Sequence, residues 1–302
     1  MGILFLMSAA LLTPSVPVGD AARASHGLPP SLLQRASFRA RPPGKRYSVT
    51  VPIGKPRPAL PLPQIEGPDD ARLPLVVIDP GHGGHDPGAI SPHGGRREKD
   101  VTLELARAIR DQIVATGRVR VALTRGDDRY LVLEERYGIA RRLKADLFLS
   151  IHADSAENEE ARGASVFTLS EVASDREAAK LAARENKANI INGVDLGVHG
   201  GAVSSILLDL TQRETMSVAS DFARLLHREA ADEVPFRNNA HRFASFVVLK
   251  APDTPSVLFE TGFLSNKEDT AFLTSKAGQQ KIARGVRDAV QVHFARRIAE
   301  DR

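Results

Sequence analysis

The 302-residue sequence contains no cysteine and no tryptophan, and only 5% of its residues are aromatic. Without cysteine the fold contains no disulfide bond, and no thiolate is available as a nucleophile or a metal ligand. Any metal ion must therefore be held by histidine and carboxylate side chains. The absence of tryptophan disfavours a carbohydrate-binding module built on stacked indole rings. The hydrophobic content of 42% and the charged content of 26% are ordinary for a globular protein and exclude wholesale disorder.

The N-terminal region has the composition of an export signal followed by a linker. Residues 2–12 form an apolar run too short to cross a bilayer as a helix, and Ala22-Arg23-Ala24 follows as a cleavage-type sequence. We predict a signal peptide at residues 1–24, although no basic residue precedes the run; a buried N-terminal helix is the alternative. Residues 25–70 hold ten of the 19 prolines, which predicts a linker or extended arm.

The predicted arm is basic and carries no acidic residue between Ser25 and Pro58. Such a segment can adhere to nucleic acid, anionic lipid or an acidic cell wall, and charge alone does not choose among them. The arm has neither interleaved aromatic residues nor a nucleic-acid-binding motif, so we expect no nucleic-acid partner. Within it, the alternation at Arg46–Ile53 predicts an edge strand.

From Leu73 onward, apolar strands alternate with amphipathic helices, which predicts an α/β domain with helices on both faces of its sheet. The region 174–233 differs, because it is rich in Ala, Glu, Arg and Lys and predicts an insertion of two or three helices. We expect the domain to span residues 71–302. The predicted strands are 75–78, 119–123, 146–151, 246–249 and 257–259, and the predicted helices are 101–113, 133–143 and 280–298.

Histidine and glutamate side chains stand where the predicted strands end. His82 lies in a glycine-rich turn after the first strand, His152 ends the strand that begins at Asp146, and Glu260 ends the strand 257–259. Glu98 opens the first helix. The turn has neither the GxGxxG order nor the Walker ending of a phosphate-binding loop, so its histidine favours a metal. Two histidines and two glutamates at one sheet edge match a catalytic zinc site with three protein ligands and an open position.

Longer strings support this hypothesis. VVIDPGHGGHDPGA, REKD, LTRGDDRYLVLEER, DLFLSIHAD and PSVLFETGFLSN occur in this order and resemble the zinc amidases of the N-acetylmuramoyl-L-alanine amidase type 3 family, especially the periplasmic cell-separation amidases of Gram-negative bacteria. The resemblance covers residues 73–298. It implies a three-layer α/β/α sandwich around a mostly parallel, mixed six-stranded sheet. It also implies a periplasmic hydrolase that cuts the amide bond between N-acetylmuramic acid and L-alanine in peptidoglycan.

By the same resemblance, His82, Glu98 and His152 are expected to bind Zn²⁺, and Glu260 is expected to be the catalytic carboxylate. The segment 174–192 resembles a helix that covers the active site until a partner displaces it. Glu185 in that segment then occupies the open zinc position in the resting enzyme; its alternative is an ordinary solvated helical residue. Further positions fit the family pattern as structural residues or as residues that orient the ligands, namely Asp86, Gly88, Arg125, Asp128 and Arg136.

The resemblance also implies a partner, an activator with a degenerate lysostaphin-like peptidase domain that contacts residues 204–210. Many family members carry a β-rich N-terminal targeting domain, for which residues 25–70 are too few and too rich in proline. We therefore expect the basic arm to supply adhesion to the wall instead. We expect a monomer without a transmembrane segment. Two other functions stay open: a zinc peptidase acting on peptidoglycan stem peptides, and a non-catalytic wall-binding regulator that kept the fold.

Overall fold

The computed structural model describes residues 61–191, 194–195 and 205–300. The predicted signal peptide at 1–24, most of the predicted basic arm and the edge strand expected at Arg46–Ile53 lie outside these residues. None of the helices in the described part of the chain is both long and apolar enough to cross a membrane.

A seven-stranded sheet forms the centre of the fold. Its strands are β1 (Ile65–Glu66), β2 (Leu75–Pro80), β3 (Arg120–Leu123), β4 (Leu147–His152), β5 (Ala164–Leu169), β8 (Phe236–Ala244) and β9 (Ser256–Glu260), while β6 (Ile190–Ile191) and β7 (Val194–Asp195) pair separately. The strand order in the sheet is β1-β3-β2-β4-β9-β5-β8. The two pairings β1–β3 and β9–β5 are antiparallel and the other four are parallel, so the sheet is mixed and mostly parallel, as predicted.

Helices cover both faces of the sheet, which gives the predicted α/β/α sandwich. The helices are α1 (Glu98–Val114), α2 (Leu133–Leu143), α3 (Arg176–Glu185), α4 (Ser205–Ala230), α5 (Lys267–Thr274) and α6 (Lys276–Glu300). On one face α1, α4 and α6 enclose apolar residues of β2, β3, β4 and β5. On the other face α2 and α3 pack over Val77, Phe148 and Leu258. The central strands are buried on both faces, as their continuous apolar runs predict.

The region expected to be a helical insertion contains α3, a 3₁₀ turn at Asn186–Asn189, the β6–β7 pair and α4. Helix α4 belongs to the core, since Phe222 and Leu226 are fully buried within it. Its end packs so tightly on α6 that a Cβ atom at Gly285 would stand 2.5 Å from Ala230.

Two expectations about the sheet are wrong in detail. The sheet has seven strands rather than six, because the two-residue β1 adds an antiparallel edge to β3. The apolar run Phe246–Leu249 is not a strand, because Val247–Leu249 form a 3₁₀ turn. The side chain of Asn186 accepts a hydrogen bond from Val247 N at 2.8 Å, and the apolar side chains pack into the core on the α2 and α3 face instead.

Candidate active site

The candidate site lies at the carboxyl edge of the central strands. His82 follows β2, His152 is the last residue of β4, Glu260 is the last residue of β9, and Glu98 is the first residue of α1. In the register of the sheet, His152 and Glu260 are direct neighbours. All four side chains are buried. The structure thus brings together the four residues to which the sequence drew attention.

Close packing fixes the loop that carries His82. A Cβ atom at Gly81 would stand 2.5 Å from the ring of His152, so a larger residue there would displace that ring. His82 has a left-handed φ of 60°, a conformation that a non-glycine residue keeps only when its surroundings hold it. Two buried arginines supply this support, because Arg125 donates to the carbonyl of Gly81 and Arg136 to that of His82.

The buried carboxylate of Asp79 holds Arg136, one of these two arginines, in position. It accepts hydrogen bonds from the hydroxyls of Thr124 at 2.5 Å and Ser150 at 2.8 Å, and it forms an ion pair with Arg136 at 3.0 Å. The charge of Asp79 is therefore fully satisfied, and Arg136 is held where it reaches the loop.

Glu98 stands between the two histidines. Its Oε2 atom lies 3.1 Å from His82 Nε2, and its Oε1 atom lies 3.2 Å from His152 Nδ1. Each oxygen also accepts a backbone hydrogen bond, from Ala89 N at 2.8 Å and from Ala153 N at 2.9 Å. The main chain of two loops therefore fixes this carboxylate without help from α3.

His82 presents one ring nitrogen to the cluster. Its Nδ1 atom donates to Asp86 Oδ2 at 2.9 Å, whereas its buried Nε2 atom has no hydrogen-bond partner among the described residues, despite the nearby Glu98 oxygen. Burial disfavours the charged ring, but the carboxylates of Glu98, Glu185 and Asp86 outweigh it and raise the pKa of His82 well above its ordinary value. A bound cation would take the place of that proton, because a histidine ligand must be neutral.

Glu185, at the end of α3, reaches the same cluster. One of its oxygens, Oε2, lies 3.5 Å from His82 Nε2 and 3.3 Å from His152 Nδ1. The ligand atoms of these three residues all lie within 4.8 Å of one another, and Glu98 adds a second carboxylate. Imidazole and carboxylate are the ligands of divalent transition metals, and the buried Nε2 atom of His82 gains a partner when such an ion binds. The residues present therefore fit a metal ion.

Glu260 is a further buried carboxylate of the site. Its Oε2 atom accepts a hydrogen bond from Asp154 N at 3.2 Å, while its buried Oε1 atom has no partner in the described parts of the chain. Burial raises the pKa of Glu260 well above its ordinary value, and the charges of Asp154 and Glu98 raise it further. One oxygen of this acid is thus free to exchange a proton.

Asp154 is a residue to which the sequence analysis gave no role. Burial, together with the charges of Glu98 and Glu185, raises its pKa to about 7. Its side chain pairs with Arg184 of α3. The sequence feature that could have indicated a role for Asp154 is its position two residues after His152, at the end of the string DLFLSIHAD.

The other family-pattern positions surround these groups. Asp128 accepts hydrogen bonds from Lys99 Nζ and Gly84 N, both at 2.7 Å. At Gly88 the φ angle is 64°, and a Cβ atom would stand 2.6 Å from both Glu98 and His82. Only glycine fits there, since both the backbone and the space exclude a side chain.

A cavity of about 380 Å³ opens beside Glu260. Helix α3 contributes Leu181 and Arg184 to its lining, which also includes Phe263, Arg237 and Arg242. Its volume lies within the range of binding sites for small organic ligands.

Comparison with known proteins identifies relatives of this arrangement. A family model described as N-acetylmuramoyl-L-alanine amidase matches residues 76–292. The chain is 38% identical over 221 residues to the amidase AmiA of Escherichia coli K12, covering 73% of this chain and 76% of that protein. It is 38% identical over 227 residues to the amidase AmiC of Neisseria meningitidis serogroup B, covering 74% of this chain and 53% of that protein. The chain thus spans about half the length of that AmiC relative and of the AmiC of Escherichia coli O6:H1, with which it shares 36% identity.

Solved structures agree with this result. The catalytic domain of CwlV, an N-acetylmuramoyl-L-alanine amidase from Bacillus (Paenibacillus) polymyxa var. colistinus, aligns with a TM-score of 0.56 at 25% identity, covering 74% of this chain and 99% of that one. The amidase AmiC2 of Nostoc punctiforme aligns with a TM-score of 0.52 at 27% identity, covering 74% and 97%. From the match over residues 76–292 and the identity to AmiA, we conclude that this chain belongs to the N-acetylmuramoyl-L-alanine amidase family, type 3.

Proposed function

We propose that this chain is a zinc-dependent hydrolase of peptidoglycan that cuts the amide bond between N-acetylmuramic acid and L-alanine. The observation that carries the proposal is the convergence of His82, Glu98 and His152, in which the Glu98 oxygens lie 3.1 and 3.2 Å from histidine nitrogens. Beside them lies the buried Glu260, whose Oε1 atom has no hydrogen-bond partner among the described residues. Family membership supports the choice of this bond over a peptide bond within the stem.

His82, Glu98 and His152 are the residues that would hold the zinc ion. Glu98, rather than Glu185, is the permanent carboxylate ligand in this proposal, because two backbone N–H groups fix Glu98. Glu185 lies instead at the end of α3, the helix proposed to cover the site. Histidine nitrogen and carboxylate oxygen in this number match a catalytic zinc site that keeps one position for water or substrate. When bound, zinc supplies a Lewis acid that polarises the scissile carbonyl and makes water nucleophilic near neutral pH.

Glu260 would carry the proton of the reaction. In its ionised form, which a cation bound nearby would favour, Glu260 accepts the proton of the attacking water at Oε1 and then gives that proton to the L-alanine amine as the C–N bond breaks. Glu260 and His152 end the neighbouring strands β9 and β4 and pair in the sheet register, so the sheet holds the two residues side by side. Asp154 orients Glu260 through its backbone N–H.

We also propose that the resting enzyme is autoinhibited. Glu185 lies within 3.5 Å of both histidine nitrogens, where it closes the position that water and substrate need. An activator with a degenerate lysostaphin-like peptidase domain, contacting residues 204–210, would draw α3 away. This regulation suits a periplasmic enzyme that separates daughter cells and must not cut the wall elsewhere.

Product analysis tests the proposed reaction. Purified sacculi are digested with the zinc-loaded protein and, in parallel, with protein treated with a chelator, and the released products are identified by mass. We expect free stem peptides that begin with L-alanine, formed only with the metal. Fragments cut within the stem peptide would instead support a zinc peptidase, and release that chelation leaves unchanged would contradict the metal site.

A further inference from the structure

A cluster of opposite charges joins the start of α3 to the edge strand β8. Asp175, the N-cap residue of α3, makes two contacts with Arg242, at 2.5 Å from Nη2 and 3.2 Å from Nε. Glu177 makes two contacts with Arg237, at 2.5 and 3.1 Å, and a third with Arg242 at 3.3 Å. Two forked arginine–carboxylate pairs therefore hold the start of α3, at the opposite end of the helix from Glu185.

The two arginines are held in place by contacts other than those with α3. The guanidinium of Arg242 lies 5.3 Å from the ring centroid of Phe167 in β5, and that of Arg237 lies 5.4 Å from the centroid of Phe263. These are cation–π distances. Arg242 is also only 4% exposed. When α3 moves away, both cations stay beside their aromatic rings and lose their carboxylate partners.

Planar guanidinium groups bind carboxylates in a forked geometry, as Arg237 and Arg242 do here with Glu177 and Asp175. A displaced α3 therefore leaves a site that favours an anion with a planar carboxylate. The same cavity is lined by Arg237, Arg242 and Glu260, so such an anion would belong to a molecule that also reaches the reacting bond.

The sheet register sets the spacing between these groups. Glu260 pairs with Ser165 of β5, and Phe167, two residues further along the same face, pairs with Arg242 of β8. Two strand spacings across and two residues along correspond to about 12 Å. An extended peptide advances about 3.4 Å per residue, so this distance spans about three to four residues.

We propose that Arg237 and Arg242 form a receptor for a carboxylate group of the stem peptide, three to four residues beyond the scissile bond. In the resting protein, Asp175 and Glu177 occupy the receptor in place of the substrate. Helix α3 thus imitates the substrate at this receptor and closes the metal cluster with Glu185. The inference rests on the proposed peptidoglycan substrate and extends it to the recognition of peptide charge.

Binding of a cleavage product tests the receptor without requiring turnover. The probe is the tetrapeptide L-Ala-D-Glu-L-Lys-D-Ala, and its control carries D-Gln and a C-terminal amide. In the full-length double variant Asp175→Asn, Glu177→Gln, the arginines lose their competitors, while asparagine preserves the helix cap. We expect calorimetry to show at least tenfold tighter binding of the acidic peptide to this variant than to the unaltered protein, and no gain for the amidated control.

Arginine variants complete the test. Adding Arg242→Gln to the double variant should abolish the gain. Since Arg242 is buried and its loss risks misfolding, Arg237→Gln, at a more exposed side chain, is measured in parallel and should reduce the gain several-fold. Equal affinity for the acidic and the amidated peptide, or a gain that survives both arginine changes, would overturn the receptor. Failure of the zinc-loaded protein to release L-alanine peptides from sacculi would overturn the amidase function instead, whatever the binding result.

Discussion

Replacing Glu185 with glutamine tests whether α3 restrains the enzyme through the metal cluster. The change keeps the size of the side chain and removes the charge that lies 3.5 Å from His82 Nε2 and 3.3 Å from His152 Nδ1. A charge-assisted contact of this kind contributes about 1.5–3 kcal/mol. Its loss shifts the balance between covered and open states by about 10- to 150-fold, since about 1.4 kcal/mol corresponds to a factor of ten. We expect basal activity to rise by up to this factor.

The assay is the release of dye from labelled sacculi by zinc-loaded protein without an activator. The matched control is Glu171→Gln, an identical chemical change at an exposed position in the loop before α3, which should leave the basal rate unchanged. Zinc content is measured for both variants. A Glu185→Gln rate within twofold of the unaltered protein, with zinc retained, would refute the restraint. Loss of zinc from this variant would make Glu185 a permanent ligand and would equally refute it.

Three further changes probe the supports of the site and of the fold. Asp86→Asn weakens the contact that orients His82, and we expect about 10- to 100-fold weaker zinc binding in chelator competition; unchanged affinity would count against that role. Arg136→Met leaves the buried Asp79 without its ion pair and should lower the free energy of unfolding by about 3–5 kcal/mol; a loss below about 1 kcal/mol in urea would contradict this. Burial, aided by Arg297, lowers the pKa of His293 to about 4. Between this value and the ordinary histidine pKa of about 6.5, the unfolded chain binds one proton more than the folded protein. The free energy of unfolding therefore falls as the pH falls, by at most about 3 kcal/mol. His293→Leu should flatten this pH dependence in urea titrations at several pH values, and an unchanged slope would exclude His293 as its source.

The central strands could be predicted because each combines a continuous apolar run with a polar residue at its carboxyl end. Leu75–Pro80, Leu147–His152 and Ser256–Glu260 are buried along their whole length. Parallel strands bring such ends to one edge, so the convergence of the histidines and Glu260 followed from order along the chain. The contact of Glu98 with both histidines could not be predicted in this way, because it depends on the path of the loop before α1.

The edge of the sheet was harder to predict. Strand β8, Phe236–Ala244, contains arginine, asparagine and histidine and reads as polar; its Arg242 is buried only because α3 and the ring of Phe167 cover it. Conversely, Phe246–Leu249 is as apolar as a strand yet forms a turn, since burial beneath helices produces the same composition. The local sequence pattern indicates that a segment is buried, but not which neighbouring element buries it.

The most direct test of the account is a paired measurement on Glu260→Gln: zinc content, and the release of L-alanine peptides from sacculi. Glu260 neighbours His152 in the sheet register but is not among the proposed ligands, and glutamine cannot accept the proton of the attacking water. We predict zinc content equal to that of the unaltered protein and turnover reduced by several orders of magnitude. Turnover near the original level, or loss of zinc together with turnover, would contradict the role of Glu260 as the proton carrier beside a metal held by His82, Glu98 and His152.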